Sequence, residues 1–225
     1  MAADPIATPS GGARPGETGS IFSVQVGQVA PLGPDRVPSA FAKSPVRGPV
    51  SVGPSGLVGD AQADLTVHGG PDKAVYLYPA EHYDAWFREL PQHAALLVPG
   101  GFGENVTTLG FDEDTVCIGD VLRAGSALLQ ITQPRQPCFK LGLRFGDTRL
   151  PRAFLRSRRS GWYARVLEDG MVAALDPVVL LERPNPMWPV SRLARLITHR
   201  LATPGDMIEL AKLPGVAREW RRRLT

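Results

Sequence analysis

The chain has 225 residues, of which 43% are hydrophobic, and a formal net charge of +3, so it is long enough for one full-sized domain with a small appendage. No apolar run approaches the roughly 18–20 residues of a membrane-spanning helix, and two cysteines, Cys117 and Cys138, are too few for a disulfide framework and have no zinc-site spacing. The first 20 residues are polar and lack an apolar segment for export, which predicts a disordered tail and a cytoplasmic protein.

Many turns are expected from the 24 glycines and 22 prolines, because both residues favour turn conformations. Near period-two alternation of apolar residues begins at Ile21 and recurs in short segments along the chain. Strands are predicted around residues 21–29, 50–52, 74–78, 105–108, 116–123, 127–132, 163–167 and 178–182, with helices at 79–90 and 150–159. Short strands at this spacing are typical of a barrel or sandwich, so a mainly β domain is predicted over residues 21–184.

In the C-terminal part of the chain, the spacing of apolar residues changes from a strand period to a helical period. From Val190 onward the apolar residues follow helical spacing, Thr203 and Pro204 form a helix start, and Trp220 lies on a third apolar stripe. A small three-helix bundle is therefore predicted over residues 185–225. This end of the chain is rich in arginine, which is typical of solvated helix faces but also suits an acidic partner or nucleic acid.

Three polar, glycine-rich stretches are candidates for a binding site, namely residues 56–73, 100–105 and 133–140. In the third, Cys138 is flanked by Arg135 and Lys140. Positive charge beside a thiol favours the thiolate, which is the form that acts as a nucleophile or soft-metal ligand. The alternative is a small buried hydrophobe, and that is the role expected for Cys117, which falls within a predicted strand.

The other two stretches contain His68, Glu104 and Asn105. Asn105 follows several glycines and is suited to hydrogen-bond a ligand that approaches the backbone closely, while Glu104 is suited to brace the loop. His68 is either a structural residue or a ligand contact. The chain has no GxSxG motif, no P-loop and no GxGxxG motif opening a helix, which disfavours a serine hydrolase, an NTPase and a nicotinamide enzyme.

Taken together and in order, these motifs closely resemble the MOSC domain, a module named for the C-terminal part of molybdenum cofactor sulfurases. The matching motifs are Lys43-Ser44-Pro45-Val46, Gly56-Leu57-Val58-Gly59-Asp60, His68-Gly69-Gly70, Gly103-Glu104-Asn105, Ile118-Gly119-Asp120 and Gln133-Pro134-Arg135-Gln136-Pro137-Cys138. The resemblance covers residues 21–220 and is closest to stand-alone bacterial members associated with resistance to N-hydroxylated purines. It implies a MOSC-type β-barrel followed by a three-helix segment known as the 3-alpha domain.

The resemblance also implies a pyranopterin molybdenum cofactor, with Cys138 as the protein's ligand to the metal and as the catalytic residue. The cofactor's phosphate requires positive charge and N–H donors. The cations available for it are Lys43, Arg47, Lys73, Arg135 and Lys140, of which Lys43 and Arg135 are favoured. His68 and Asn105 would contact the pterin or the substrate, and Asp60 and Gln62 would orient the glycine turn. Because no motif residue lies beyond Lys140, the barrel is expected to bind the cofactor without the C-terminal helices.

The reaction implied is reduction of an N–OH group to N–H, with release of water, on small bases such as hydroxylaminopurines. The chain lacks the four thiols of an iron–sulfur cluster and any flavin or nicotinamide fingerprint, so a separate reductase is expected to supply electrons. The alternative is a carrier of molybdenum cofactor, or of persulfide sulfur on Cys138, without turnover of its own. Nucleic-acid binding is disfavoured because the arginine-rich end has no recognisable base-reading pattern, and no membrane partner is expected.

Overall fold

The computed structural model of the protein describes residues 13–63, 69–199 and 201–222, so His68 lies outside the described residues. Its strands are β1 (Thr18–Val26), β2 (Ala30–Leu32), β3 (Val37–Ser39), β4 (Ser44–Pro45), β5 (Val50–Gly53), β6 (Gly56–Leu57), β7 (Val75–Pro79), β8 (Val106–Leu109), β9 (Val121–Ala124), β10 (Ala127–Pro134), β11 (Trp162–Glu168), β12 (Gly170–Val172) and β13 (Pro177–Glu182). Its helices are α1 (Glu81–Glu89), α2 (Phe139–Phe145), α3 (Leu150–Ser157), α4 (Val190–His199), α5 (Pro204–Lys212) and α6 (Arg218–Arg222), with short 3-10 helices at Pro71–Lys73 and Pro91–Leu96. Within these ranges no helix is both long enough and apolar enough to cross a membrane.

Seven of the described strands form a closed barrel in the order β13, β9, β10, β11, β7, β8 and β1, and β13 pairs back with β1. The closing pair is antiparallel and places Thr18 opposite Val179. Strands β7 and β8 run parallel, whereas the other neighbours in the barrel are antiparallel. Closure pairs both edges of the sheet. The predicted mainly β barrel is confirmed.

The barrel interior is filled by apolar side chains from alternating strand positions, as the period-two pattern predicts. The side chains of Ile21, Leu122 and Trp162 are completely buried there. A second apolar cluster contains Trp86 of α1 and Phe154 of α3, whose rings stack with centroids 5.7 Å apart. Apolar packing therefore fixes both of the predicted interrupting helices to the strands.

The strand predicted at residues 116–123 is wrong in its first half. Strand β9 begins at Val121, and Cys117 instead lies in a turn, where its N–H donates to Asp120 Oδ2 at 2.8 Å. The turn contains Gly119 with φ of 87°, a conformation that favours glycine, and the buried Asp120 carboxylate pairs with Arg183. The apolar run around Cys117 is thus a buried turn rather than a strand. Helix α2, which begins directly after Cys138, was not predicted.

Helices α4, α5 and α6 pack on the barrel. Val190 and Leu193 of α4 and Trp220 of α6 are at most 3% exposed and belong to the same apolar cluster as the barrel interior. The predicted helix start at Thr203 is present as a capping box with Asp206. The C-terminal helices therefore share a core with the barrel.

The structured part of the chain begins earlier than the sequence predicts. Strand β1 begins at Thr18 rather than Ile21, and Ala13 is already buried against the barrel cluster. The carbonyl of Ala13 accepts a hydrogen bond from the Arg183 guanidinium. Part of the predicted tail is consequently ordered, and residues 1–12 lie outside the described residues.

Candidate functional site

An open pocket, here called the cationic pocket, lies beside Cys138. Loops at strand ends supply most of its wall, because Cys138 follows β10, Asp60 follows β6 and Asn105 precedes β8. The predicted site residues found in its lining are Lys43, Asp60, Gln62, Lys73, Asn105, Arg135, Cys138 and Lys140. Arg47 is exposed and is not part of the lining.

Asp60 connects three segments of the pocket wall. Its Oδ1 accepts from the Gly27 N–H at 2.7 Å and pairs with the Lys43 ammonium, and its Oδ2 accepts from Asn105 Nδ2 at 2.8 Å. Asn105 Oδ1 in turn accepts from the Tyr76 N–H at 3.2 Å. Asp60 and Asn105 therefore hold the loops in position. Burial lowers the pKa of Lys43, although the carboxylates of Asp60 and Glu104 oppose that shift.

The side chain of Glu104 forms hydrogen bonds with the glycine-rich loop at residues 100–103. Its side chain is completely buried and accepts from the Gly100 N–H at 2.8 Å, from the Phe102 N–H at 3.2 Å and from Thr107 Oγ1 at 3.1 Å. The Tyr83 hydroxyl donates to it as well. Burial raises the pKa of Glu104 above its ordinary value, while these hydrogen bonds favour the carboxylate. The expectation that Glu104 braces the loop agrees with this network.

Arg135 is the cation with the greatest unused hydrogen-bonding capacity in the pocket. It is only 5% exposed, and its Nε and Nη1 atoms have no hydrogen-bond partner. Its guanidinium lies 5.3 Å from the ring centroid of Tyr76 and 5.5 Å from that of Phe41. Burial lowers the pKa of Arg135, but Tyr76, Tyr163 and Cys138 raise it by more, so the group stays charged. Buried donors without acceptors are costly, and the positive charge of Arg135 in the pocket lining favours an anion bound beside it.

The ammonium group of each pocket lysine has a protein acceptor. Lys43 pairs with Asp60, Lys140 Nζ donates to the Pro38 carbonyl at 3.0 Å, and Lys73 Nζ lies 3.1 Å from Glu219 Oε2. These contacts fix the ammonium groups around the pocket. Lys140 still contributes positive charge to the lining, since a carbonyl oxygen does not neutralise the ammonium.

The two cysteines are in different environments. Cys138 occupies the N-cap position of α2 without a side-chain capping hydrogen bond. It is partly exposed and lies in the cationic pocket, where it interacts electrostatically with Arg135. Cys117 is 2% exposed in the turn before β9, and burial raises its pKa to about 12. At neutral pH Cys117 is therefore an inert thiol, and Cys138 is the cysteine placed to contact a bound group.

Sequence reasoning missed the aromatic residues and one acid of this site. Phe41, Tyr76 and Tyr163 line the pocket around Arg135, and Glu219 of α6 pairs with Lys73 at its rim. The apolar alternation marked Tyr76 and Tyr163 as strand residues, but it could not show that they face a pocket. Nothing in the local sequence around Glu219 indicated this contact. In the described ranges, no group of three or more His, Cys, Asp or Glu side chains is arranged to hold a metal ion.

Comparisons with known proteins show which family the chain is similar to. Residues 64–179 match the family model of the MOSC domain. Protein YiiM of Escherichia coli (strain K12) is 38% identical over 85% of this chain and 85% of its own length. The crystal structure of YiiM from Geobacillus stearothermophilus superimposes with a TM-score of 0.76 at 34% identity, covering 93% of this chain and 100% of that one. A protein named Reductase from Gibberella moniliformis is 37% identical over 87% of this chain, which spans 35% of that protein.

The chain belongs to the MOSC domain family. The family model and the two YiiM proteins all match this chain, so the resemblance predicted from the ordered motifs is confirmed. Membership of this family relates the protein to molybdenum cofactor chemistry.

Proposed function

We propose that the cationic pocket binds a pyranopterin molybdenum cofactor through Cys138 and that the protein reduces N-hydroxylated bases to the corresponding amines. The observation that carries this proposal is the pairing of a partly exposed cysteine with Arg135, a buried cation whose Nε and Nη1 lack acceptors. An anionic group that also accepts a thiolate ligand would match both features. The family assignment makes the molybdenum cofactor the leading candidate.

The residues present fit such a group. A thiolate is a suitable soft ligand for molybdenum that is already held by the cofactor's own sulfurs. Arg135, Lys43 and Lys73 supply positive charge for the phosphate. Gly69 and Gly103 line the same pocket, where the lack of side chains lets a ligand approach the backbone.

The proposed reaction converts R–NHOH, two electrons and two protons into R–NH2 and water. The bound cofactor would supply the two-electron redox change. The chain's own residues would hold the cofactor, through Cys138 and Arg135, and would orient the substrate beside it. Electrons must then come from a separate reductase protein.

A basic surface beside the cationic pocket is suited to bind an acidic electron-donor protein. Arg152 and Arg156 of α3 and Arg158 directly after it are exposed, and α3 packs against α2, which begins at Cys138. Complementary charge mainly speeds association between redox partners. We therefore place the proposed docking surface for the reductase on α3 rather than on the C-terminal helices.

Metal analysis of freshly purified full-length protein, combined with turnover of 6-hydroxylaminopurine by a chemically reduced viologen dye, tests this function. We expect molybdenum in the purified chain and conversion of the probe to adenine. Molybdenum without turnover would instead support the carrier alternative. Turnover in a protein that contains no molybdenum would overturn the proposal.

A further inference from the structure

The proposed reaction requires a proton donor in the cationic pocket as well as a source of electrons. The hydroxyl oxygen of the substrate leaves as water, so a proton must reach that oxygen while the N–O bond breaks. A side chain that supplies this proton must line the pocket and must hold a proton that no protein acceptor already engages. The ionisable side chains of the pocket differ in how well they meet these requirements.

Most ionisable side chains in the described lining of the cationic pocket already have another role. Each of the three lysines donates to a protein acceptor, and Asp60 accepts three hydrogen bonds as a carboxylate. Arg135 stays protonated, as arginine does in proteins, and Cys138 is the proposed metal ligand. The hydroxyl of Tyr76 donates to the Ser160 carbonyl at 2.8 Å. One further ionisable residue of this lining, a second tyrosine, has none of these roles.

Tyr163 lies in β11, on the face of the strand that borders the cationic pocket. The preceding residue, Trp162, is completely buried in the barrel interior, and successive side chains of a strand point to opposite faces. Tyr163 pairs with Tyr76 of β7, and the centroids of their rings lie 5.3 Å apart. Thr132 Oγ1 donates to the Tyr163 carbonyl at 3.0 Å. Strand pairing and ring packing therefore fix the phenol beside the pocket.

The hydroxyl of Tyr163 differs from those of the other three tyrosines. The hydroxyls of Tyr76, Tyr78 and Tyr83 donate to carbonyl or carboxylate oxygens, and burial raises the pKa of each well above its ordinary value. Tyr163 is half-buried, lines the pocket and interacts with the guanidinium of Arg135. Because a guanidinium has donors and no acceptor, this interaction leaves the phenol proton available to a ligand.

Arg135 also connects Tyr163 with Cys138. The guanidinium interacts electrostatically with both the phenol and the sulfur, so the two groups border the same part of the pocket. A substrate that reacts beside Cys138 is consequently close to the phenol. The positive charge of Arg135 also stabilises the phenolate that remains after the proton is donated.

We propose that Tyr163 is the catalytic acid that protonates the departing hydroxyl oxygen of the substrate. This inference rests on the proposed function, whose separate reductase supplies the two electrons. The phenol O–H bond breaks, a new O–H bond forms on the leaving oxygen, and the N–O bond breaks to release water. Solvent provides the second proton, which forms the N–H bond, and then reprotonates the phenolate of Tyr163 through the open pocket.

Tyr163→Phe tests this role, because it keeps the ring and removes the acid. With 6-hydroxylaminopurine and a reduced viologen dye, kcat should fall by about 100- to 10,000-fold, the usual contribution of general acid catalysis. KM and molybdenum content should stay close to wild type. At constant pH, added acetic acid should raise the rate of Tyr163→Phe and leave the wild-type rate unchanged. The control Tyr78→Phe removes a buried hydroxyl outside the described pocket lining and should keep the wild-type kcat.

A second measurement, which involves no turnover, tests whether the Tyr163 hydroxyl is accessible. N-acetylimidazole acetylates accessible phenols, and on the full-length protein as purified it should modify Tyr163 but spare the three buried tyrosines. Trypsin separates the sites, because Tyr163 lies in the peptide 160–165 and the other three tyrosines lie in the peptide 74–88. Mass spectrometry of the two peptides gives the extent of modification at each.

A wild-type kcat in Tyr163→Phe, or a loss of turnover that acetic acid does not reduce, would overturn the inference and leave the proposed reductase intact. Acetylation that spares Tyr163 in the wild-type protein would overturn it as well, whatever the turnover. If the wild-type protein contained no molybdenum or did not reduce the probe, the proposed function itself would be rejected, and the assignment of Tyr163 with it.

Discussion

Lys73 and Glu219 are 146 positions apart in the chain, yet Lys73 Nζ lies 3.1 Å from Glu219 Oε2. The neighbouring Arg218 N–H donates to Asp72 Oδ2, so α6 is attached by two contacts to the segment at the rim of the cationic pocket. The sequence predicts a pocket independent of the C-terminal helices, because every matching motif lies before them. The structure instead gives those helices a direct contact with a pocket residue.

Trp220→Ala should destabilise the whole protein rather than the C-terminal helices alone. Trp220 is 3% exposed in the cluster that fills the barrel, and truncation of a buried tryptophan to alanine costs about 3–5 kcal/mol. Urea unfolding followed by far-UV circular dichroism measures the loss. Leu201→Ala, at a position that is 61% exposed, is the control and should change the free energy of unfolding by less than about 0.5 kcal/mol. Equal effects of the two substitutions would mean that α6 does not share the barrel core.

Cys138→Ser should fold normally and lose its molybdenum, because a serine hydroxyl does not replace a thiolate as a soft ligand. Cys117→Ser should keep its molybdenum, since that thiol is buried in a turn away from the cationic pocket. Metal analysis and circular dichroism of both variants make the comparison. Loss of metal in Cys117→Ser but not in Cys138→Ser would show that the ligand is misassigned.

Arg135→Met should weaken cofactor retention by about ten- to hundredfold, because charge-assisted hydrogen bonds contribute about 1.5–3 kcal/mol. The free energy of unfolding should fall by less than this roughly 1.5–3 kcal/mol. The reason is that the substitution also removes buried donors that have no partner. Molybdenum retained after dialysis measures the first effect, and urea unfolding measures the second. Arg152→Met on the exposed face of α3 is the matched control and should retain the cofactor. If both variants kept the wild-type amount, Arg135 would not be part of an anion site.

Cys117 should make the protein less stable at alkaline pH. Burial raises its pKa from 9.0 to about 12, so the folded state holds the proton more tightly than the unfolded state. Its contribution to stability is complete below the unfolded pKa and is lost as pH rises from about 9 toward about 12. The free energy of unfolding should therefore fall more steeply between about pH 9 and pH 11 in wild type than in Cys117→Ala. Parallel curves for the two proteins would contradict a buried neutral thiol.

The sequence by itself was sufficient for the architecture and for the family. Alternating apolar residues determined most strand positions, because a strand with one buried face leaves a period-two pattern in the local sequence. The turn at residues 133–140 and the glycine-rich loops could also be predicted from the sequence, because turns depend on a few adjacent residues. Cys138 and Arg135 could therefore be named as candidate site residues from the sequence.

Tertiary structure alone decided which of those residues have spare bonding capacity. Lys43 and Arg135 looked equivalent as cations, but only folding shows that Asp60 pairs with Lys43 while Arg135 keeps donors without acceptors. The turn at Cys117 depends on Arg183, and the rim contact depends on Glu219, both far along the chain. Hydrogen bonds and ion pairs between distant segments leave no periodic signal in a single sequence.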